Sequence, residues 1–311
     1  MSLQEVTCLI PLYRSVPQLP RVFENIDDHL RLGARVLCSD EHGFDDAARQ
    51  IIDRYASHPD VQVFSSTGGG DWVSNCNRLI AACETPFFRI VPHDDTFPAD
   101  STALLVRALR NNPKLVVSHG RVLAENDAGV RLPNRDEPTL RPEPVADPLR
   151  FSAELFWRGH YNGAFKSVIR RNVVDGGPLL IRPTASLRHS ERAWLFAYSL
   201  LGEFSFNPDA TIQKRYWTGS LTDRWERDPQ DMIETAHVMV GYATDFIKDE
   251  DILNALRFNL YFNAVRRAAR QEGYYSRHPG FDPAMLPALQ VIKPMNKRDK
   301  WHTILKMFRK A

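Results

Sequence analysis

Short apolar runs alternate with segments of helical period through the first hundred residues. VTCLIPLY is one such run and stops after Pro11. QLPRVFENIDDHLRLG then carries Leu19, Val22, Phe23, Ile26 and Leu30 at helical spacing and ends at Gly33, the pattern of an amphipathic helix with a glycine stop. ARVLCSD reads as a second strand, and DDAARQIIDRYASH as a second helix with Ala47, Ile51 and Tyr55 on one face. VQVFSS, DWVSNCNRLIAACE and PFFRIVP continue as strand, helix and strand. This alternation predicts βαβ units, hence an α/β fold with a mostly parallel sheet flanked by helices.

A fourth helix, DSTALLVRALRNN, follows, and LVVSHGRVLAENDAGVRL reads as strands closed by a turn around Asn126 to Gly129. PNRDEPTLRPEPVADP, with five prolines, predicts a long loop over the sheet face, and loops of that length are usually functional. From about Pro229 the pattern turns helical, through ETAHVMVGYATDFI and ILNALRFNLYFNAVRRAARQEG.

Composition narrows the class. The chain has 311 residues, 43% hydrophobic and 25% charged, with a net charge of +2. Such near-neutrality argues against a nucleic-acid partner. Cys8, Cys38, Cys76 and Cys83 fall within apolar patterns and form no CxxC pair, so they read as buried free thiols of a reducing compartment. No apolar run reaches the roughly 18 residues of a membrane span and no signal peptide is evident, so a cytoplasmic protein is expected.

Chemistry gathers where strands end. The first strand stops at PLYRSVP without a GxGxxG turn, which argues against a dinucleotide-binding enzyme. The fourth ends in FRIVPHDDTFPAD, placing Asp94 and Asp95 side by side. Like charges at that spacing want a shared cation or hydrogen-bond donors; a turn before a helix is the plainer alternative. The second strand ends in SDEHGFDD, which sets Asp40 and Glu41 on the same rim, while Asp45 reads as a helix cap. Carboxylates there suit base or ribose donors, and a divalent cation at Asp94 and Asp95 would neutralise phosphates, since Mg²⁺ needs few protein carboxylates. STGGGDWVSN is not a P-loop. It reads as a turn with Asp71 as cap, followed by Asn75 and by Asn77, the latter holding a neighbouring loop.

The order CLIPLYR, CSDEHGFDDAARQI, SNCNRLIAAC, FRIVPHDDTFP resembles the nucleotide-sugar half of family-2 glycosyltransferases of the GT-A fold. NGAFKSVIRRNVV is similar to the segment before that family's acceptor site, and HSERAWLFAYSLLGEFSFNPDATIQKRYWTGSLT to its later acidic and basic segment. The resemblance spans roughly residues 5 to 225. It implies a GT-A domain over 1–225, with 1–100 forming a nucleotide-binding half and 101–225 an acceptor-side half. A helical extension over 226–311 would follow.

The resemblance also implies roles. Pro11 and Tyr13 would flank the nucleobase, Asp40 or Glu41 would contact base or ribose, and Asn75 would lie on the nucleotide-sugar side. Asp94 and Asp95 would hold ribose and a divalent metal, Mn²⁺ or Mg²⁺. His93 stands where many relatives carry the first acid of a DxD motif, so it is a further candidate ligand. Inverting transfer needs a carboxylate base; the family's acidic pair reads Glu191-Arg192 here, which assigns the base to Glu191. Arg215 would counter the leaving diphosphate. Tyr216 and Trp217 suit packing equally, and Trp157, His160 and Tyr161 suit either sugar stacking or core. Tyr216 occupies the arginine position of a processive Q-x-x-R-W, so a non-processive enzyme is expected.

The tail KRDKWHTILKMFRKA sets Trp301, Ile304, Leu305 and Phe308 along one side of a basic helix. Residues 297–311 therefore suit either an anionic membrane surface or packing on their own domain. The expected partners are a nucleotide-diphospho-sugar and a glycan or lipid-linked acceptor, with possible contact at the inner face of the membrane. A nucleotidyltransferase, and a non-catalytic sugar-nucleotide or membrane-surface binding protein, are the rival readings.

Overall fold

A computed structural model describes residues 2–40, 46–65, 70–132, 159–218, 220, 228 and 230–269. Glu41, Asp45, Gly68, Gly69, the proline-rich segment 133–148, Trp157, the boundary near 225 and the tail 297–311 lie outside the described residues, as do the side chains of His160 and Tyr161.

Strand β1 (Val6–Pro11) is buried along almost its whole length, as expected for a strand covered on both faces. It is followed by α1 (Leu19–Arg31), β2 (Arg35–Asp40), α2 (Ala47–Tyr55), β3 (Val61–Ser65), α3 (Trp72–Ala82), β4 (Phe87–Ile90), α4 (Ala99–Asn111) and β5 (Leu115–Glu125). A 3-10 segment, Gly159–Lys166, leads into β6 (Val168–Arg170), and α5 (Ser190–Ser199), β7 (Glu203–Arg215), α6 (Gln230–Phe246) and α7 (Glu250–Ala269) complete the order. The seven strands form one sheet in the order β3-β2-β1-β4-β6-β5-β7. Only β6 runs antiparallel to its neighbours β4 and β5; the other pairs are parallel.

The chain moves outward from β1 through β2 to β3, then returns past β1 to β4. With right-handed crossovers, α1 and α2 cover one face and α3 the other. Accordingly Val6, Cys8 and Ile10 join Val22, Ile26 and Ile51 in one buried cluster. The four cysteines are buried and free, and burial pushes the Cys8 thiol up to about 12. Helix α3 starts as the sequence predicts, with Asp71 accepting the Val73 and Ser74 amides at 2.8 and 2.9 Å.

The segment after Asn126 was expected to return as a strand; as far as the described residues run, to Leu132, an antiparallel bridge from Glu125 to Arg131 closes the turn. Strand β6 pairs only with Val117 and Ser118 of β5, and near the turn the Leu132 amide donates to the Ala124 carbonyl at 2.7 Å.

The described residues divide into two compact units. Residues 159–182 and 201–225 join the N-terminal part in the first, whereas 183–200 joins the C-terminal helices in the second. In the second unit α5 packs with α6, and Arg188 meets Asp231 at 3.3 Å.

Candidate functional site

Ligands of open α/β sheets bind at the carboxyl ends of strands where the strand order reverses. Here that point lies between β1 and β4, whose ends carry Pro11–Tyr13 and Val91–Asp95. The two ends are coupled, because the Val91 amide donates to the Leu9 carbonyl at 2.8 Å. Beyond β1 the chain turns sharply: Arg14 has φ 50°, and the Tyr13 amide donates to the Ser15 hydroxyl at 2.8 Å. Asp40 ends β2 on the same rim and is buried.

Helix α1 holds the loop that carries the paired carboxylates. Arg21 donates to the Asp94 carbonyl at 2.8 Å, and Asn25 to the Asp95 carbonyl at 2.8 Å. The Asn25 side-chain oxygen accepts the Phe97 amide at 2.8 Å, and Asp28 accepts the Ala99 amide at 2.7 Å, capping α4. Positions 21, 25 and 28 share one helical face, so a single stripe of α1 fixes the backbone from 94 to 99. The bond to Ala99 and the nearby Arg31 hold the Asp28 carboxyl below its ordinary range against the opposing effect of burial.

The carboxylates themselves face different partners. Asp95 is buried, 1% exposed. One of its oxygens contacts the Lys166 ammonium, and the other accepts the Arg215 amide at 3.0 Å. Asp94 accepts the Trp217 indole N–H at 2.9 Å. Burial opposes ionisation of Asp94, yet His93, Lys166 and that indole hold its carboxyl below the ordinary carboxylate range. Burial and the neighbouring Lys214 pull Lys166 down to about 7, with Asp94 acting in the opposite sense. A short antiparallel bridge, with Thr96 and Gln213 exchanging hydrogen bonds at 2.9 and 3.0 Å, brings the end of β7 to this loop.

The remaining candidates are placed as follows. Arg215 meets Asp95 through its backbone; its guanidinium donates instead to the Asp127 carbonyl at 2.7 Å. Asn75 is 1% exposed, and its amide donates to the Leu12 carbonyl at 3.1 Å, supporting the loop after β1. Asn77 clamps the Ile181 amide and carbonyl, each at 2.8 Å. His93 is partly buried and its Nε2 has no hydrogen-bond partner. Trp217, which suited packing and a site role equally, bonds Asp94, and sequence reasoning missed Lys166, Asn25 and Arg21 altogether.

In the second unit, Glu191 lies in the first turn of α5. The loop before it is wound tightly: Leu187 and His189 have φ of 62° and 64°, a left-handed geometry that is costly for non-glycine residues and often marks functional sites. Ser190 and Thr184 secure that loop, Thr184 N–H donating to the Ser190 hydroxyl at 2.9 Å and the Thr184 hydroxyl to the Arg188 carbonyl at 2.8 Å. His189 Nδ1 lies 4.0 Å from a Glu191 oxygen. Burial works against the Glu191 carboxylate, but His189 and Arg192 outweigh it and keep its pKa below the ordinary value.

Beneath the first-unit loop, His29 bonds the Asn25 carbonyl at 2.8 Å and the Thr102 hydroxyl at 2.9 Å. Burial, with Arg89 nearby, pulls its imidazole from 6.5 down to about 4. Between those values the unfolded chain binds a proton that the native chain does not, so stability falls as pH drops through that window. Urea denaturation is expected to lose about 2 kcal/mol from this group between about pH 7 and about pH 5. His29→Gln should remove that increment; an unchanged pH dependence would contradict it.

This arrangement agrees with what the chain is similar to. No curated protein matches it. Among solved structures, S. aureus TarS 1-349 in complex with UDP superposes with a TM-score of 0.63 at 13% identity, covering 93% of this chain and 79% of that one. The same TarS segment in complex with UDP-GlcNAc gives 0.62 at 12% identity over 93% and 78%. At such identity the likeness shows a shared fold, the GT-A fold. The family described as Glycosyl transferase family 2 matches residues 7–176, more than half of the chain, so the protein belongs to glycosyl transferase family 2 and is a glycosyltransferase.

Proposed function

We propose that the chain moves a sugar from a nucleotide-diphospho-sugar to a hydroxyl of a glycan or lipid-linked acceptor, with inversion and with help from a divalent cation. The observation that carries this reading is the Asp94–Asp95 pair at the β1/β4 reversal point, fixed by α1 and by the end of β7. The residues fit a sparsely ligated Mn²⁺ or Mg²⁺. Asp94 has one oxygen committed to Trp217, and His93 beside it has an unpartnered Nε2. Among the described residues no group of three or more His, Cys, Asp or Glu is arranged to hold a metal, so phosphate oxygens and water would complete the shell, as is usual for Mg²⁺. When bound, such an ion would neutralise charge on the departing nucleoside diphosphate.

In this reading Pro11 and Tyr13 flank the nucleobase. Asp40, with Glu41 beside it in sequence, accepts hydrogen bonds from base or ribose, and Asp94 orients the diphosphate end. Asn75 acts by shaping the loop after β1. The Arg215 guanidinium adds positive charge on the same side. Glu191 takes the acceptor hydroxyl proton as that oxygen attacks the anomeric carbon, and the bond to the diphosphate breaks on the opposite face. Its carboxyl is ionised at neutral pH, as a base must be before it can accept a proton. Asp95 is committed to Lys166 and to the Arg215 amide, so its part is to organise the site, and Asp94 and His93 are the proposed metal ligands.

The same reading keeps a GT-A domain to about residue 225 followed by a helical extension. No helix among the described residues is long and apolar enough to cross a membrane; the basic segment 297–311 is the proposed contact with an anionic membrane surface, where a lipid-linked acceptor would lie. Nucleotide-sugar calorimetry on the wild type and on Asp94→Ala tests the donor site.

A further inference from the structure

The position of Lys166 bears on how this site treats a metal. Its ammonium contacts one oxygen of Asp95, while the Arg215 amide takes the other at 3.0 Å. Asp95 is 1% exposed on its side chain and Lys166 12%, so water does little to weaken their attraction. The lysine is also anchored. Its carbonyl accepts the Nε–H of Arg89 at 3.0 Å, and Arg89 is fully buried beneath it. Asp94 differs, with one oxygen bonded to Trp217 at 2.9 Å and a neutral donor rather than a cation as its direct partner.

We infer that Lys166 sets the metal affinity of the site, holding Asp95 as an internal counter-cation so that a divalent ion meets Asp94 alone of the two carboxylates. This rests on reading the Asp94 rim as the diphosphate and cation site. Two adjacent carboxylates would otherwise share a cation strongly; the tethered lysine satisfies one of them by donating to it. A lysine removed from a buried pair leaves a carboxylate without compensation. Asp95 then recruits either a metal or a proton, and these outcomes can be distinguished.

The test is titration of the full chain with Mn²⁺ alone, followed by electron paramagnetic resonance of the free ion. Lys166→Met and Lys166→Gln are compared with wild type, the glutamine variant keeping a polar, neutral donor should the methionine variant fold poorly. Thermal melting shows that each is folded. Affinity for Mn²⁺ is expected to rise at least about tenfold in both, and Asp95→Asn added to Lys166→Met is expected to return it to the wild-type level. Unchanged or weaker Mn²⁺ binding in the folded variants would overturn the inference and leave Lys166 as a structural partner of Asp95. Nucleotide-sugar binding by the wild type, measured in parallel without metal and with it, tests the donor-site reading separately. Its loss would sink that reading, whatever the Mn²⁺ titration gives.

Discussion

Glu191→Gln is expected to lower turnover by about 100-fold to 10,000-fold while leaving nucleotide-sugar binding within about a factor of three of wild type. The amide is nearly isosteric but cannot accept the acceptor's proton, so the loss should fall on kcat. The side chain sits in the first turn of α5, next to an irregular loop with left-handed Leu187 and His189. His189 and Arg192 keep its carboxyl ionised against the effect of burial. A variant with wild-type turnover would remove Glu191 from the mechanism and direct attention to another acid. Retained donor binding with no measurable transfer even by the wild type would favour a binding protein of the same fold.

The second large effect is expected at a residue that touches no ligand. Asn25 clasps the carboxylate loop from both sides, donating to the Asp95 carbonyl and accepting the Phe97 amide. Asn25→Ala leaves two buried backbone groups unpaired, at about 1–3 kcal/mol each, so a destabilisation of about 2–6 kcal/mol is expected in urea denaturation. Nucleotide-sugar binding should weaken as well, because the same clasp sets where Asp94 lies. Wild-type stability and wild-type binding together would contradict the assigned role; lost stability with intact binding would confine Asn25 to the fold.

These two residues mark what the sequence could disclose. The βαβ order of the first four strands was legible because each strand is a buried apolar run and each helix keeps a 3.6-residue stripe. The rim carrying Asp40 and Asp94 followed from strand ends alone. The reversal at β6 did not, since three residues carry too little pattern to reveal a direction. Nor did the full course of β7, where the register against β5 shifts at Gly120 and the run is broken by Asn207-Pro208-Asp209. Side chains that meet across long sequence separations were hidden too. Lys166 reaches Asp95 from 71 positions away, and Trp217 reaches Asp94 from 123. Asn25 did leave a signal: with His29 it places two polar residues one turn apart on the buried stripe of α1, beside Val22 and Ile26. Polar groups on an apolar face need partners, and here those partners are the loop of the site.

Arg215 shows the converse case. Its position in the chain pointed to the diphosphate, and the residue does reach Asp95, but through its amide. A strand end fixes backbone groups more firmly than it fixes a long side chain, which here turns to Asp127. For Asp95, expected as a metal ligand with Asp94, the structure shows Lys166 and the Arg215 amide as its partners. A carboxylate already matched by an ammonium is a poor first choice for a metal, and in the proposed reading donor binding depends on Asp94.

That dependence can be measured directly by calorimetric titration of UDP-, GDP- and dTDP-sugars into the full chain, with and without Mn²⁺, for wild type and Asp94→Ala. One nucleotide series is expected to bind the wild type, and Asp94→Ala is expected to weaken it at least about tenfold. Absence of binding by every nucleotide sugar, or unchanged affinity in Asp94→Ala, would contradict the placement of the donor at this rim.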